Sequence, residues 1–213
     1  MATPIGNLKD ITLRAIEVLK NVDLIACEDT RHTKILLDCH SIKTPTTSFY
    51  QHNRFLKVDY LIKLLKEGKD IALVSDAGMP GILDPGYNLI NLAIKNDIPM
   101  TVIPGPVSLI NALVLSGKPA HKFFFAGFVP RKKIARRNYL LKLKKINSTI
   151  VFYESCHRIL NTLKDVQEIF GEREIVVARE LTKKFEELNR DSAKELLERF
   201  SISKPKGEFV IVI

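Results

Sequence analysis

The pattern of this chain predicts an α/β fold, with a mostly parallel sheet in its first half, on three observations. Short apolar runs alternate with amphipathic stretches, the rhythm of strands joined by crossover helices. One apolar run passes straight into a loop, residues 75–86, built almost wholly from Gly, Pro and Asp. A break at Gly117-Lys118-Pro119-Ala120-His121 then reads as a hinge, dividing the chain into domains at 1–117 and 118–213.

In order, residues 11–20 form a helix after a cap at Asp10, 22–27 a buried strand, 53–67 a helix stopping at Gly68, and 69–75 a second strand. Residues 98–103 make a third strand, and 106–116 a helix opening on Pro106. Beyond the hinge, strands are expected at 122–127, 149–153, 174–179 and 208–213, and helices at 131–145, 156–170 and 191–200.

The loop Ser75-Asp76-Ala77-Gly78-Met79-Pro80-Gly81-Ile82-Leu83-Asp84-Pro85-Gly86 carries the strongest chemical signal. Its glycines let the main chain approach a ligand closely, and its prolines stiffen it while supplying no N–H. A rigid loop rich in carbonyl oxygens suits a cationic cofactor such as the sulfonium of S-adenosylmethionine. A polyphosphate would need N–H donors and a Gly-Lys-Ser/Thr ending, which is missing. A strand-to-helix turn of purely structural use is the alternative.

The formal charge of +9, from 33 Lys and Arg against 24 Asp and Glu, points to a polyanionic partner. Cys27, Cys39 and Cys156 are odd in number and lack Cys-x-x-Cys spacing, against a disulfide framework or a structural zinc. With no leader and no membrane-length apolar run, a cytoplasmic protein off the membrane is expected, and no metal is obviously required.

Ligands of open parallel sheets collect beyond the carboxyl ends of strands. Glu28, Asp29, Thr30, Arg31 and His32 occupy one such end, where a carboxylate beside an arginine could accept a proton, or where Asp29 simply caps a helix and pairs with Arg31. Glu154 and Arg158 pose the same choice. Cys156 and His157 are neighbours on a helix and do not face each other, against a Cys-His nucleophile. Arg131, Lys132, Lys133, Arg136, Arg137, Lys142, Lys144 and Lys145 fall within fifteen residues with no acid among them, either a nucleic-acid contact or a solvated helix face. Phe128 and Tyr139 are candidates to stack on a base, core packing being the expected use of Phe128.

Taken together and in order, Thr3-Pro4-Ile5-Gly6-Asn7-Leu8, Glu28-Asp29-Thr30-Arg31, the 75–86 loop, Pro104-Gly105-Pro106, Phe152-Tyr153-Glu154-Ser155 with His157-Arg158, and Ala178-Arg179-Glu180-Leu181-Thr182-Lys183 resemble the bacterial 16S ribosomal RNA cytidine 2′-O-methyltransferases of the tetrapyrrole methylase superfamily. The resemblance covers nearly the whole chain. It implies two α/β domains, the second with a mixed sheet, S-adenosylmethionine in the cleft between them, a homodimer, and 16S rRNA of the small ribosomal subunit as substrate. Carried onto this sequence, Thr3, Pro4, Gly6, Asp76, Gly78, Pro80, Gly81, Ile82, Pro104, Gly105 and Pro106 hold the cofactor. Asp29, Arg31 and Arg158, with Arg131, Lys132, Lys133, Arg136 and Arg137 of the basic run, meet the RNA. Glu28 is the first candidate for the group that takes or orients the ribose proton and Glu154 the second.

The chain departs from that family at Met79, Leu83 and Val107, where hydroxyl or small residues are usual, and at Cys156, where proline is usual. Each missing cofactor hydrogen bond is worth about 1 kcal/mol. Relatives also carry an apolar strand before Thr3, where only Met1 and Ala2 stand here. A recorded start downstream of the true one is the favoured explanation and a truncated copy the other. Two rival functions use the same residues: methylation of a tetrapyrrole or other small acceptor, and RNA binding with catalysis lost.

Overall fold

The computed structural model describes residues 1–49, 54–84, 86–203 and 205–213, with the side chains of 54–56 left aside. The chain forms two compact units, Met1–Val107 and Ser108–Ile213. The division falls ten residues before the expected Gly117 hinge. Its cause is the helix Ser108–Ser116, which buries Leu109, Ala112 and Leu113 and belongs with the second unit.

In the first unit, β1 (Leu24–Cys27), β2 (Thr46–Ser48) and β3 (Ile71–Leu73) form a parallel sheet in the order β2-β1-β3. The helices are α1 (Leu13–Asn21), α2 (Thr30–Cys39), α3 (Arg54–Lys66) and α4 (Tyr87–Lys95). Alternation along β1 sends Ile25 and Cys27 into one core with Ala15, Leu19 and Leu36, and Ala26 into another with Leu61, Ile62 and Leu89. The sheet is thus covered on both faces, as a parallel sheet requires.

Several boundaries differ from expectation for identifiable reasons. The cap of α1 is Thr12, whose hydroxyl accepts from Ala15 N–H at 3.1 Å, while Asp10 ends a short 3-10 turn over Leu8–Asp10. The expected helix start at Asn53, and Pro85 of the loop, lie outside the described residues. No strand forms at 98–103. A strand needs a neighbour along several residues, and here the Ala2 N–H donates to Ile103 O at 3.1 Å while the Met1 ammonium donates to Leu73 O at 2.8 Å.

The second unit packs α5 (Ser108–Ser116), α6 (Lys133–Leu143), α7 (Ile159–Phe170) and α8 (Ala193–Ile202) with the strands β4 (Phe123–Phe128), β5 (Thr149–Ser155), β6 (Glu174–Arg179), β7 (Glu187–Ser192) and β8 (Glu208–Val212). Their order is β4-β5-β8-β6-β7; β4 and β5 run parallel and the other pairs antiparallel, a mixed sheet. The core gathers Phe152, Val177 and Ile211 from the sheet with Ile159, Leu163 and Val166 from α7 and Leu196 from α8. Ser192 and Glu195 close a reciprocal capping box on α8. Among the described residues no helix is long and apolar enough to cross a membrane.

Candidate cofactor and substrate sites

In the first unit the three expected cofactor turns converge. Thr3 and Gly78 form an antiparallel bridge, Thr3 N–H to Gly78 O at 2.9 Å and Gly78 N–H to Thr3 O at 3.0 Å. Below it, the buried Thr3 hydroxyl donates to Ser75 O at 3.0 Å and the Ser75 hydroxyl to Gly78 O at 3.2 Å. Gly78 has φ +82°, a conformation that a side chain resists, and a Cβ there would stand 3.6 Å from Pro106 O. At Gly105 a Cβ would come within 2.9 Å of the Ala2 Cβ, so only glycine lets these two turns touch. Pro4 and Pro80 are buried, whereas Gly6, Gly81, Ile82 and Pro104 face solvent.

Beside these turns the carboxyl ends of β1 and β3 are tied by acids. Asp29 N–H donates to Asp76 Oδ1 at 3.1 Å. Burial, then the charges of Asp76 and Asp84, push the Glu28 carboxyl above its usual range. Burial, opposed by a Ser75 hydrogen bond, drives Asp84 up to about 6. Three carboxylates with no cation paired to them among the described residues favour a positively charged ligand.

Asp29 and Arg31 take the capping alternative. Asp29 Oδ1 accepts the Arg31 N–H at 2.8 Å at the start of α2, and the Arg31 guanidinium reaches Asp29 Oδ2 at 2.7 Å, holding that carboxyl well below its ordinary value. The Arg31 side chain is nevertheless exposed.

In the second unit Glu154 is 2% exposed and fully engaged. Oε1 accepts from Ser155 N–H at 2.8 Å and Arg158 Nε at 2.7 Å, and Oε2 from the Thr162 hydroxyl at 2.6 Å. That arrangement corrects its candidacy as a base: it positions Arg158, which also donates to Val129 O at 3.1 Å.

The basic run divides in two. Arg136 is buried, with Nε 2.7 Å from Asp165 Oδ2, and Arg137 reaches Asp165 Oδ1 at 3.1 Å and also pairs with Glu168. Lys144 donates to Ile169 O at 2.5 Å. These residues brace α6 on α7, so Arg136 and Arg137 are corrected from RNA contacts to structural ion pairs; the acids that the run lacks come from α7. Arg131, Lys132 and Lys133 are exposed, with no ion pair among the described residues.

The aromatic expectations also exchange places. Tyr139 packs against the core and donates to Ala126 O at 3.3 Å, while Phe128 is 54% exposed. Sequence reading missed Asp84 and Asp165. For Asp165 a signal existed: an acid within the apolar face of α7, between Thr162 and Val166, demands a buried cation.

Among the described residues no group of three or more His, Cys, Asp or Glu side chains is arranged to hold a metal ion.

Residues 2–197 match the family described as tetrapyrrole (corrin/porphyrin) methylases. A Thermotoga maritima protein named "Ribosomal RNA small subunit methyltransferase I" is 48% identical over 213 residues, all of this chain and 96% of that relative. A Halalkalibacterium halodurans protein of the same name is 47% identical, over all of this chain and 74% of the relative. Among solved structures, a diphthine synthase superposes with a TM-score of 0.74 at 14% identity, covering 99% of this chain and 86% of that one. A uroporphyrin-III-C-methyltransferase from Thermus thermophilus gives 0.66 at 18%, covering 99% and 90%. The chain belongs to the tetrapyrrole (corrin/porphyrin) methylase family.

Proposed function

We propose that the protein transfers a methyl group from S-adenosylmethionine to the 2′-oxygen of a cytidine in 16S rRNA of the small ribosomal subunit. Membership of a methylase family supports the reaction class, and relatives matched over the whole of this chain, whose names specify small-subunit ribosomal RNA, support the substrate. The observation that carries the cofactor is the meeting of the Thr3, Gly78 and Gly105 turns beside Glu28, Asp76 and Asp84. A cofactor bearing a sulfonium and an ammonium fits carboxylates and backbone carbonyls, and the glycines let the turns that would hold it meet.

Thr3, Pro4, Gly6, Asp76, Gly78, Pro80, Gly81, Ile82, Pro104, Gly105 and Pro106 would hold that cofactor, whose bound sulfonium supplies an activated methyl carbon. Because the donor is already activated, the protein's work is to fix the approach of the ribose oxygen and manage its proton. Glu28 takes the proton in this reading. Its raised pKa brings a carboxylate closer to the operating pH, where a general base is most effective. Glu154 anchors Arg158, and Arg31, Arg158, Arg131, Lys132 and Lys133 meet the RNA. An rRNA substrate entails a cytoplasmic protein, and a homodimer belongs to the same proposal, checked by light scattering.

Labelled methyl transfer from S-adenosylmethionine onto unmodified small subunits, followed by nucleoside mapping, tests the reading. Label in a 2′-O-methylcytidine of 16S rRNA is expected and should vanish in Glu28→Gln. Cofactor binding without RNA labelling would favour a small-molecule acceptor, and subunit binding without cofactor binding a protein that has lost catalysis.

A further inference from the structure

Resting on the rRNA reading, we propose that Phe128 is a stacking platform for a base of single-stranded RNA, with Arg131, Lys132 and Lys133 engaging the neighbouring phosphates. Phe128 ends β4, whose pairing with β5 shifts register between Phe125 and Phe128, and Gly127 takes φ +65° within that shift. The irregularity re-aims the last side chain of the strand, and more than half of the Phe128 surface is left in water.

The ring is exposed but braced. Tyr153 packs against it at 5.6 Å between centroids, tilted by 57°, and Tyr153 OH accepts from the Ser108 hydroxyl at 2.9 Å. The Arg158 guanidinium lies 6.0 Å from the Phe128 centroid. Arg158 is itself locked by Glu154 at 2.6 Å and by Val129 O, so its charge is already matched and its place fixed. A rigid, open aromatic face backed by a cation is what base stacking uses, because ordering is complete before the ligand arrives.

Charge selects RNA over an apolar partner. From Val129 to Lys145 there is no acid in the sequence. Within that span Arg136, Arg137 and Lys144 are bound to α7, whereas Arg131, Lys132 and Lys133 are exposed and unpaired among the described residues. They begin three residues after Phe128 and lead into α6, whose Lys132 cap makes no side-chain hydrogen bond to the first-turn N–H groups. Phosphates flanking a stacked base would meet those cations and N–H groups.

Unmodified small subunits and S-adenosylmethionine are titrated separately against wild type, Phe128→Ala, Phe128→Leu and Phe128→Trp. Alanine and leucine variants are expected to bind subunits about 5- to 150-fold more weakly, the range that stacking of one base on one aromatic ring is worth, with tryptophan within about threefold of wild type. Cofactor affinity should not move. Leucine keeps the apolar bulk without the π face, so an unchanged melting temperature separates a defect in stacking from a defect in folding. Wild-type subunit affinity in Phe128→Leu, or equal weakening in Leu and Trp, overturns the platform while leaving methyl transfer standing. A wild-type protein with no subunit affinity overturns both.

Discussion

Asp165 on α7 holds Arg136 on α6 at 2.7 Å with both side chains out of water. Removing the cation leaves a buried carboxylate with only the half-exposed Arg137 for compensation. Arg136→Ala is expected to cost about 3–5 kcal/mol of stability, read by urea unfolding, with the subunit affinity of the folded fraction unchanged. An apolar pair in place of both residues should be milder, since it removes the stranded charge.

The salt dependence of RNA binding should reside in the unpaired cations. Replacing Arg131, Lys132 and Lys133 by alanine is expected to lower the slope of log affinity against log salt by about 0.7 for each single-strand phosphate that is no longer neutralised. Titrations from about 50 to 200 mM salt read this directly. An unchanged slope would remove that segment from the interface.

Asp84 makes stability fall with rising pH. Its folded pKa of about 6 lies above the ordinary 3.8, so its contribution is full below 3.8 and is lost as pH climbs through 6. Because the side chain is only half-buried, solvent screening reduces the effect to about 1 kcal/mol. Asp84→Asn should flatten the stability profile across that window. Wild type should also gain affinity for the cationic cofactor over the same interval, measurable by calorimetry, as the carboxylate ionises.

Glu28 and Glu154 should separate cleanly when each is changed to Gln. At Glu154 the buried acceptor of the Arg158 bonds loses its charge, and a drop of about 1.5–3 kcal/mol in unfolding free energy is expected. Glu28→Gln should melt no lower than wild type at neutral pH, because burial already disfavours its charge, and should abolish methyl transfer, with affinity for the cationic cofactor weakened but not lost.

Gly78→Ala tests the turn itself. At φ +82° an alanine costs about 1–2 kcal/mol although its Cβ meets only ordinary neighbours at 3.4 and 3.6 Å. Cofactor affinity should fall together with thermal stability.

Periodicity made the buried elements legible. The predicted span 174–179 is the observed β6, and the helices of the second half were recognisable from apolar spacing, as α7 shows with Ile159, Leu163, Val166 and Phe170. The strand β7, Glu-Leu-Asn-Arg-Asp-Ser, escaped because an edge strand protected by charge carries no alternation. At Thr46–Ser48 a strand of three residues offers too short a pattern. In the candidate site, the loop and the two acids at the end of β1 were legible as composition. What a local reading could not reach was pairing across distance: Arg136 with Asp165, twenty-nine residues apart, turns a nucleic-acid motif into a structural brace. Glu154 likewise became an anchor only once Thr162 and Arg158 were seen around it.

The Thr3–Gly78 bridge also sets an order of assembly. During synthesis the opening residues emerge with neither Ser75 nor Gly78 available to receive them, and Ile103 follows later still. Local helices such as α1 and α2 can form meanwhile, since their bonds span only a few positions. The bridged turns are therefore among the last parts of the first unit to close, and a ribosome paused before residue 78 would carry a nascent chain with helices but without the turns proposed to hold the methyl donor.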